Sequence, residues 1–149
     1  MTATEIIDFA CPKCKEVSKV TIHKAINATR DPEARQALLE GKVNFFTCPR
    51  CNTKGYLLIS LFYHDMDRKF IVQYHPFPAV RNDEFLSQFD VSGHPKLDSA
   101  KLAQEIDQKL GYFRDMHVVF DLAEMCRYIA FRERLADAKK TGKTLAEPQ

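Results

Sequence analysis

Tryptophan is absent from the 149 residues, and glycine is scarce, with five in all. With no compositional bias, a collagen-like repeat, low complexity and general disorder are excluded. Long apolar runs are missing too. The longest, Tyr56 to Tyr63, is interrupted by Ser60 and is far too short to cross a bilayer. The opening residues Met-Thr-Ala-Thr-Glu lack the basic and apolar segments of a secretion signal. These absences predict a soluble cytoplasmic protein without a membrane partner, whose thiols stay reduced and free for a metal.

An excess of one charge is also lacking. The formal net charge is +2, and neither half is strongly polarised: residues 1–75 carry 11 Lys and Arg against 8 Asp and Glu, residues 76–149 carry 11 against 12. A nucleic-acid module usually shows a clearer basic face. The chain is 45% hydrophobic and long enough to bury a core without disulfides. One domain over residues 1–137 with a flexible tail at 138–149 is expected.

What the chain does have is two copies of Cys-Pro-x-Cys: Cys11-Pro12-Lys13-Cys14 and Cys48-Pro49-Arg50-Cys51, with 33 residues between them. Four thiolates in two matched pairs suit a tetrahedral metal site. Proline after the first cysteine presets φ for a tight turn and removes an amide that the turn does not need. The amides that follow can then point at the first sulfur. Lys13, Lys15, Arg50 and Lys54 flank the pairs and would offset a dianionic centre. The competing reading is redox chemistry, which needs the first cysteine at a helix N-terminus. Strand-like sequence follows both pairs instead. An all-thiolate set fits one zinc ion best and also accepts iron. With four sulfurs no position is open to water or substrate, so the expected role is structural.

Around these pairs the first half reads as strands. Ile6, Ile7 and Phe9 lead into the first pair; Val17 to His23 alternates apolar and polar residues; Val43 to Thr47 leads into the second. Between them Asp31, Pro32 and Glu33 start a short helix that Gly41 ends. Asn52 to Gly55 reads as a turn, Tyr56 to Tyr63 as a central strand and His64 to Arg68 as a polar turn. Phe70, Val72 and Tyr74 complete a hairpin that Pro76 and Pro78 close.

The second half reads as helical. A short turn over Asn82 to Phe89 is followed by a helix capped by Asp98, with Leu102, Ile106 and Leu110 on one face and a break at Gly111. The clearest helix spans Val118 to Leu135, burying Val118, Leu122, Met125, Cys126, Ile129 and Ala130, with a frayed chain after Ala136. The order predicts an α+β domain: a zinc-ribbon-like antiparallel sheet with two knuckles, then a helical C-terminal half.

The paired motif, its spacing and the chain length resemble the CpXC domain family over roughly residues 6–137. The resemblance implies a bacterial or archaeal protein with Cys11, Cys14, Cys48 and Cys51 as metal ligands, and it supplies no reaction. Zinc knuckles commonly carry glycine after the second cysteine. Here Lys15 and Asn52 stand there, and asparagine accepts a positive φ more readily than lysine.

Other residues compete less well for a function. His64, Asp65, Asp67 and His75 could form an acid–base or weaker metal cluster, or simply a hydrogen-bonded turn. His23 is of ligand type but is not needed beside four thiols; His94 and His117 show no partner. Cys126 reads as a small buried hydrophobe. Phe45, Phe46, Phe62, Phe70, Phe113 and Phe120 sit at strand or helix spacing, which favours core packing over base stacking. The functional expectation is a binding module for another protein, with enzyme activity left open. Its rivals are an enzyme built on the His64 cluster and a nucleic-acid ribbon using Lys13, Arg50, Lys54, Arg68 and Lys69.

Overall fold

The computed structural model describes residues 2–96, 112 and 115–140. The expected helix after Asp98, its break at Gly111 and Phe113 lie outside these residues. Two hairpins carry the Cys-Pro-x-Cys turns. Strand β1 (Ala3–Ala10) pairs antiparallel with β2 (Val17–Asn27), and the first pair lies in their turn. Strands β3 (Phe45–Thr47) and β4 (Lys54–Tyr56) form a separate antiparallel pair around the second.

A five-stranded sheet runs from the first hairpin into the rest of the molecule. Its order is β1-β2-β5-β6-β7, with β5 (Leu61–Asp65), β6 (Phe70–Tyr74) and β7 (His117–Val119). The α+β class holds, but the sheet is mixed: β2 pairs parallel with β5, and β6 with β7. Those pairings follow from long connections, which let a strand return in the same direction. The expected strand Tyr56 to Tyr63 is split, because Tyr56 closes β4 while β5 starts at Leu61. Continuous apolar sequence does not mark that change of sheet.

Helix α1 (Pro32–Leu39) forms as its sequence dictates. The Asp31 carboxylate accepts the Ala34 amide at 2.9 Å, and Pro32 occupies the first turn. Gly41 ends it at φ 77°, with its amide donating to the Leu38 carbonyl and the Lys42 amide to that of Ala37. A Cβ on Gly41 would also lie 2.7 Å from the Tyr56 hydroxyl, the end of an exposed side chain that can move, so the positive φ is the stronger demand for glycine. After a 3-10 turn at Phe77–Arg81, α2 (Asp83–Leu86) is capped by Asn82, and α3 (Leu122–Lys140) completes the described chain.

Helix α3 starts four residues later than its periodicity suggests. Val118 and Val119 belong to β7, and Asp121 caps the helix by accepting the Ala123 amide at 2.7 Å. An apolar triplet fits either period, and only pairing with β6 decides it. The helix continues to Lys140, past Ala136, and Ala130 is exposed.

Two cores result. The larger lies where α1 and α3 meet one face of the sheet: Ala34, Leu38, Met125 and Ile129 against Ile26, Leu61, Tyr63, Phe70, Val72, Tyr74 and Val119. Arg35 of α1 clamps Glu133 of α3 through two bonds of 2.6 and 2.7 Å. The smaller core joins the hairpins and consists of Cys11, Ile22, Phe46, Cys48 and Leu57, with Phe9 meeting Phe46 edge-on at 4.7 Å. Phe46 and Phe70 are buried as expected. Phe45 and Phe120 are not; each is 37% exposed, and Phe45 stacks edge-on against Tyr56 at the surface.

Candidate metal centre

The two cysteine turns are built alike. The Cys11 amide donates to the Glu16 carbonyl at 2.9 Å, and the Lys15 amide to the Cys11 carbonyl at 3.0 Å. In the second turn the Cys48 amide donates to the Thr53 carbonyl at 2.8 Å, and the Asn52 amide to the Cys48 carbonyl at 3.0 Å. Both turns need a left-handed residue after the second cysteine, at Lys15 (φ 67°) and Asn52 (φ 62°). Lys15 therefore adopts the knuckle geometry despite its Cβ, at a steric cost that glycine would avoid.

These turns bring Cys11, Cys14, Cys48 and Cys51 together. All four sulfurs lie within 4.8 Å of one another, with Cys11 Sγ 3.6 Å from Cys51 Sγ and Cys14 Sγ 3.5 Å from Cys48 Sγ. Metal–sulfur bonds of about 2.3 Å in a tetrahedron place sulfurs about 3.8 Å apart. A disulfide would need about 2.05 Å, and all four are free thiols. Cys11 and Cys48 are fully buried; Cys14 and Cys51 are half-buried.

The surroundings favour a cationic guest. The amides of Cys14 and Lys13 hold the Cys11 thiol below its ordinary range against the effect of burial. The hydroxyl and amide of Thr53 bring Cys51 down to about 6, with Thr53 Oγ1 3.0 Å from Cys51 Sγ. Cys14 moves the other way. The Glu16 amide acts to lower it, but burial and the three facing thiols together push it up to about 12. Four sulfurs this close cannot all ionise beside one another without a positive charge among them. The donor set, its spacing and its amide shell fit a metal ion.

Thr53 and Glu16 were missed by the sequence reading, although both stand two residues after a second cysteine. Glu16 also bridges the hairpins through Arg50 at 3.5 Å, so Arg50 is not wholly free to face an anion.

The rival clusters are not assembled. His64 and Asp65 lie within β5 and are buried instead of forming an exposed turn. Asp65 accepts the Arg68 amide at 2.8 Å and its guanidinium at 3.1 Å, which closes the β5–β6 turn. Asp67 is exposed in that turn. His75 sits at the opposite end of the hairpin, where β5 begins, with its Nδ1 2.9 Å from Ser60 Oγ. The pairing of Asp65 with Phe70 and of Leu61 with Tyr74 separates the two ends by about four residues, roughly 14 Å. Among the described residues only the four cysteines form a metal-type cluster, and His23 stands outside it. Arg68 and Lys69 lie at the far end of β2 from Lys13, Arg50 and Lys54, so those five cations form no single face. Cys126 is half-buried on α3 with its Sγ 3.6 Å from the Leu38 carbonyl, and burial raises its pKa.

No helix among the described residues is long and apolar enough to cross a membrane. No curated protein and no solved structure matches the chain. A family model does: the one described as CpXC protein matches residues 9–139 and so includes both cysteine pairs. Matched over nearly its whole length, the chain belongs to the CpXC family.

Proposed function

We propose that Cys11, Cys14, Cys48 and Cys51 hold one zinc ion in a structural role, and that the domain is a protein-binding module. The observation that carries the metal reading is the near-tetrahedral spacing of four sulfurs on two equivalent turns. Bound there, zinc would balance the thiolate charge and tie the β1–β2 hairpin to the β3–β4 hairpin. Sulfur on all four positions would leave none for substrate. Iron fits the same donor type, but zinc is favoured for a closed structural site.

A dithiol switch has less support, because both pairs lie in strand-to-strand turns and neither opens a helix. An enzyme on His64, Asp65, Asp67 and His75 is disfavoured by their separation. A nucleic-acid ribbon is disfavoured by the division of its cations. Binding of another protein is what remains for a small closed-site domain with open strand edges.

Native mass spectrometry of the purified, reduced protein tests the metal. The expected neutral mass is that of the chain plus one zinc minus two hydrogens, because the divalent cation replaces two protons. A metal-free mass in a folded protein, or a mass lower by two hydrogens per bridge with oxidation during purification excluded, overturns the site.

A further inference from the structure

The two hairpins face each other across a groove that no strand fills among the described residues. Its walls are Ser18, Lys19, Val20 and Thr21 of β2, with Phe45, Phe46 and Thr47 of β3 and Pro49 beyond, and it encloses about 410 Å³. Hydrogen-bonding parity shows which main-chain groups point into it. In an antiparallel pair, alternate residues direct both N–H and C=O at the partner and the others direct them away. The bond from the Cys11 amide to the Glu16 carbonyl sets the phase for β2: Ser18, Val20 and Ile22 turn toward β1, and Lys19, Thr21 and His23 away from it. On β3 the bonds from Cys48 to Thr53 and from Leu57 to Asn44 turn Asn44, Phe46 and Cys48 toward β4, and Phe45 and Thr47 away.

Two strand edges therefore look at one another with no ladder between them among the described residues. The structure already shows how such an edge is read. At one end of the groove the Asn44 side chain accepts the His23 amide at 2.7 Å and donates to the His23 carbonyl at 3.0 Å. That is the pair of bonds a neighbouring strand would make. Asn44 is buried and held at φ 54°, so its amide group is fixed in place. It ends where the groove begins. Thr21 and Lys19 continue the same edge without such a partner.

We propose that the groove between β2 and β3 receives an extended segment of a partner protein, which adds a strand bonded to both edges. The proposal rests on the protein-binding reading above and gives it a place. Charge sets the preferred side chains: the walls contain Lys19, and Arg50 follows Pro49 at the rim. Lys19 bonds Asp8 at 3.2 Å and Arg50 bonds Glu16 at 3.5 Å. Both pairs are solvent-exposed and weak, so an incoming carboxylate can share either cation. Alternating acidic and β-branched residues complement this lining, the first on the exposed face with Lys19 and the second on the inner face with Val20 and Phe46.

The probe is a blocked heptapeptide of alternating glutamate and valine, titrated into 15N-labelled zinc-loaded protein. Binding should shift the amides of Lys19, Thr21, Phe45 and Thr47 and slow their hydrogen exchange. N-methylation of either alternate set of peptide residues should weaken binding about tenfold, because each set serves one edge. Thr21→Pro, which removes an outward N–H, should weaken it similarly while keeping the zinc. Weakening by one methylated set only, shifts confined to another surface, or no saturable binding overturns the groove. If the variant fails to fold, the methylated peptides still decide. Metal content read on the same samples separates loss of the groove from loss of the zinc reading, and shifts at another surface would leave protein binding standing without the groove.

Discussion

The two cores of this molecule differ in how much apolar area they bury. Between the sheet and its helices, thirteen buried residues supply apolar area enough to hold α1, α3 and the central strands. Between the hairpins only five are buried, and two of those are cysteines. Ile7, Phe9, Val20 and Ile59 pack against these five but are only partly buried. This cluster therefore has far less apolar area with which to offset the ordering of two hairpins and two left-handed turns. On the proposed reading, the smaller core depends on a metal at its four cysteines and the larger does not.

The largest expected effect breaks this contrast at its weak side. Cys48→Ser, or removal of metal with a chelator, should abolish stoichiometric zinc and lower Tm by on the order of 10 °C or more. Hydrogen exchange should become fast in β1, β3 and β4 while β5, β6 and α3 stay protected. Equal loss of protection in both cores would mean that they form one cooperative unit.

A change in the larger core provides the converse. Ile129 is fully buried against the sheet. Ile129→Ala should cost about 2–5 kcal/mol, which lowers Tm by roughly 5–15 °C, with zinc still bound in the native mass spectrum. Zinc loss in this variant would show that the metal site needs the helices.

Next in size is the clamp between α1 and α3. Arg35 holds Glu133 below the ordinary glutamate value of 4.5, and the two side chains are 27% and 13% exposed. A depressed carboxylate contributes stability that is present above its unfolded pKa and is lost as pH falls through the folded one. Glu133→Gln should therefore destabilise by about 1–3 kcal/mol at neutral pH, and its difference from the parent should shrink below about pH 4.5. A pH-independent difference between the two melting curves would refute the ion pair.

The smallest effect sharpens the comparison of the two cysteine turns with each other. Lys15→Gly should stabilise the zinc form by about 0.5–1 kcal/mol, because glycine accepts φ 67° without a Cβ clash. Asn52→Gly should change it by only a few tenths. If denaturant melts show Lys15→Gly to be neutral, the left-handed turn carries no steric strain.

The sequence by itself determined the parts whose causes are local. The cysteine turns follow from Cys-Pro-x-Cys and α1 from Asp31, Pro32 and Gly41, because capping and φ preferences act within a few residues. Only tertiary structure decided where neighbouring strands belong. Tyr56 and Leu61 sit in one apolar run yet enter different sheets, and Val118 and Val119 fit a helix yet pair with β6. His64 and His75 sit at opposite ends of one hairpin because register, which residue type does not encode, placed them there. The groove and its Asn44 clamp arise from residues 21 positions apart. Such an arrangement exists only once long-range packing has fixed the backbones that form it.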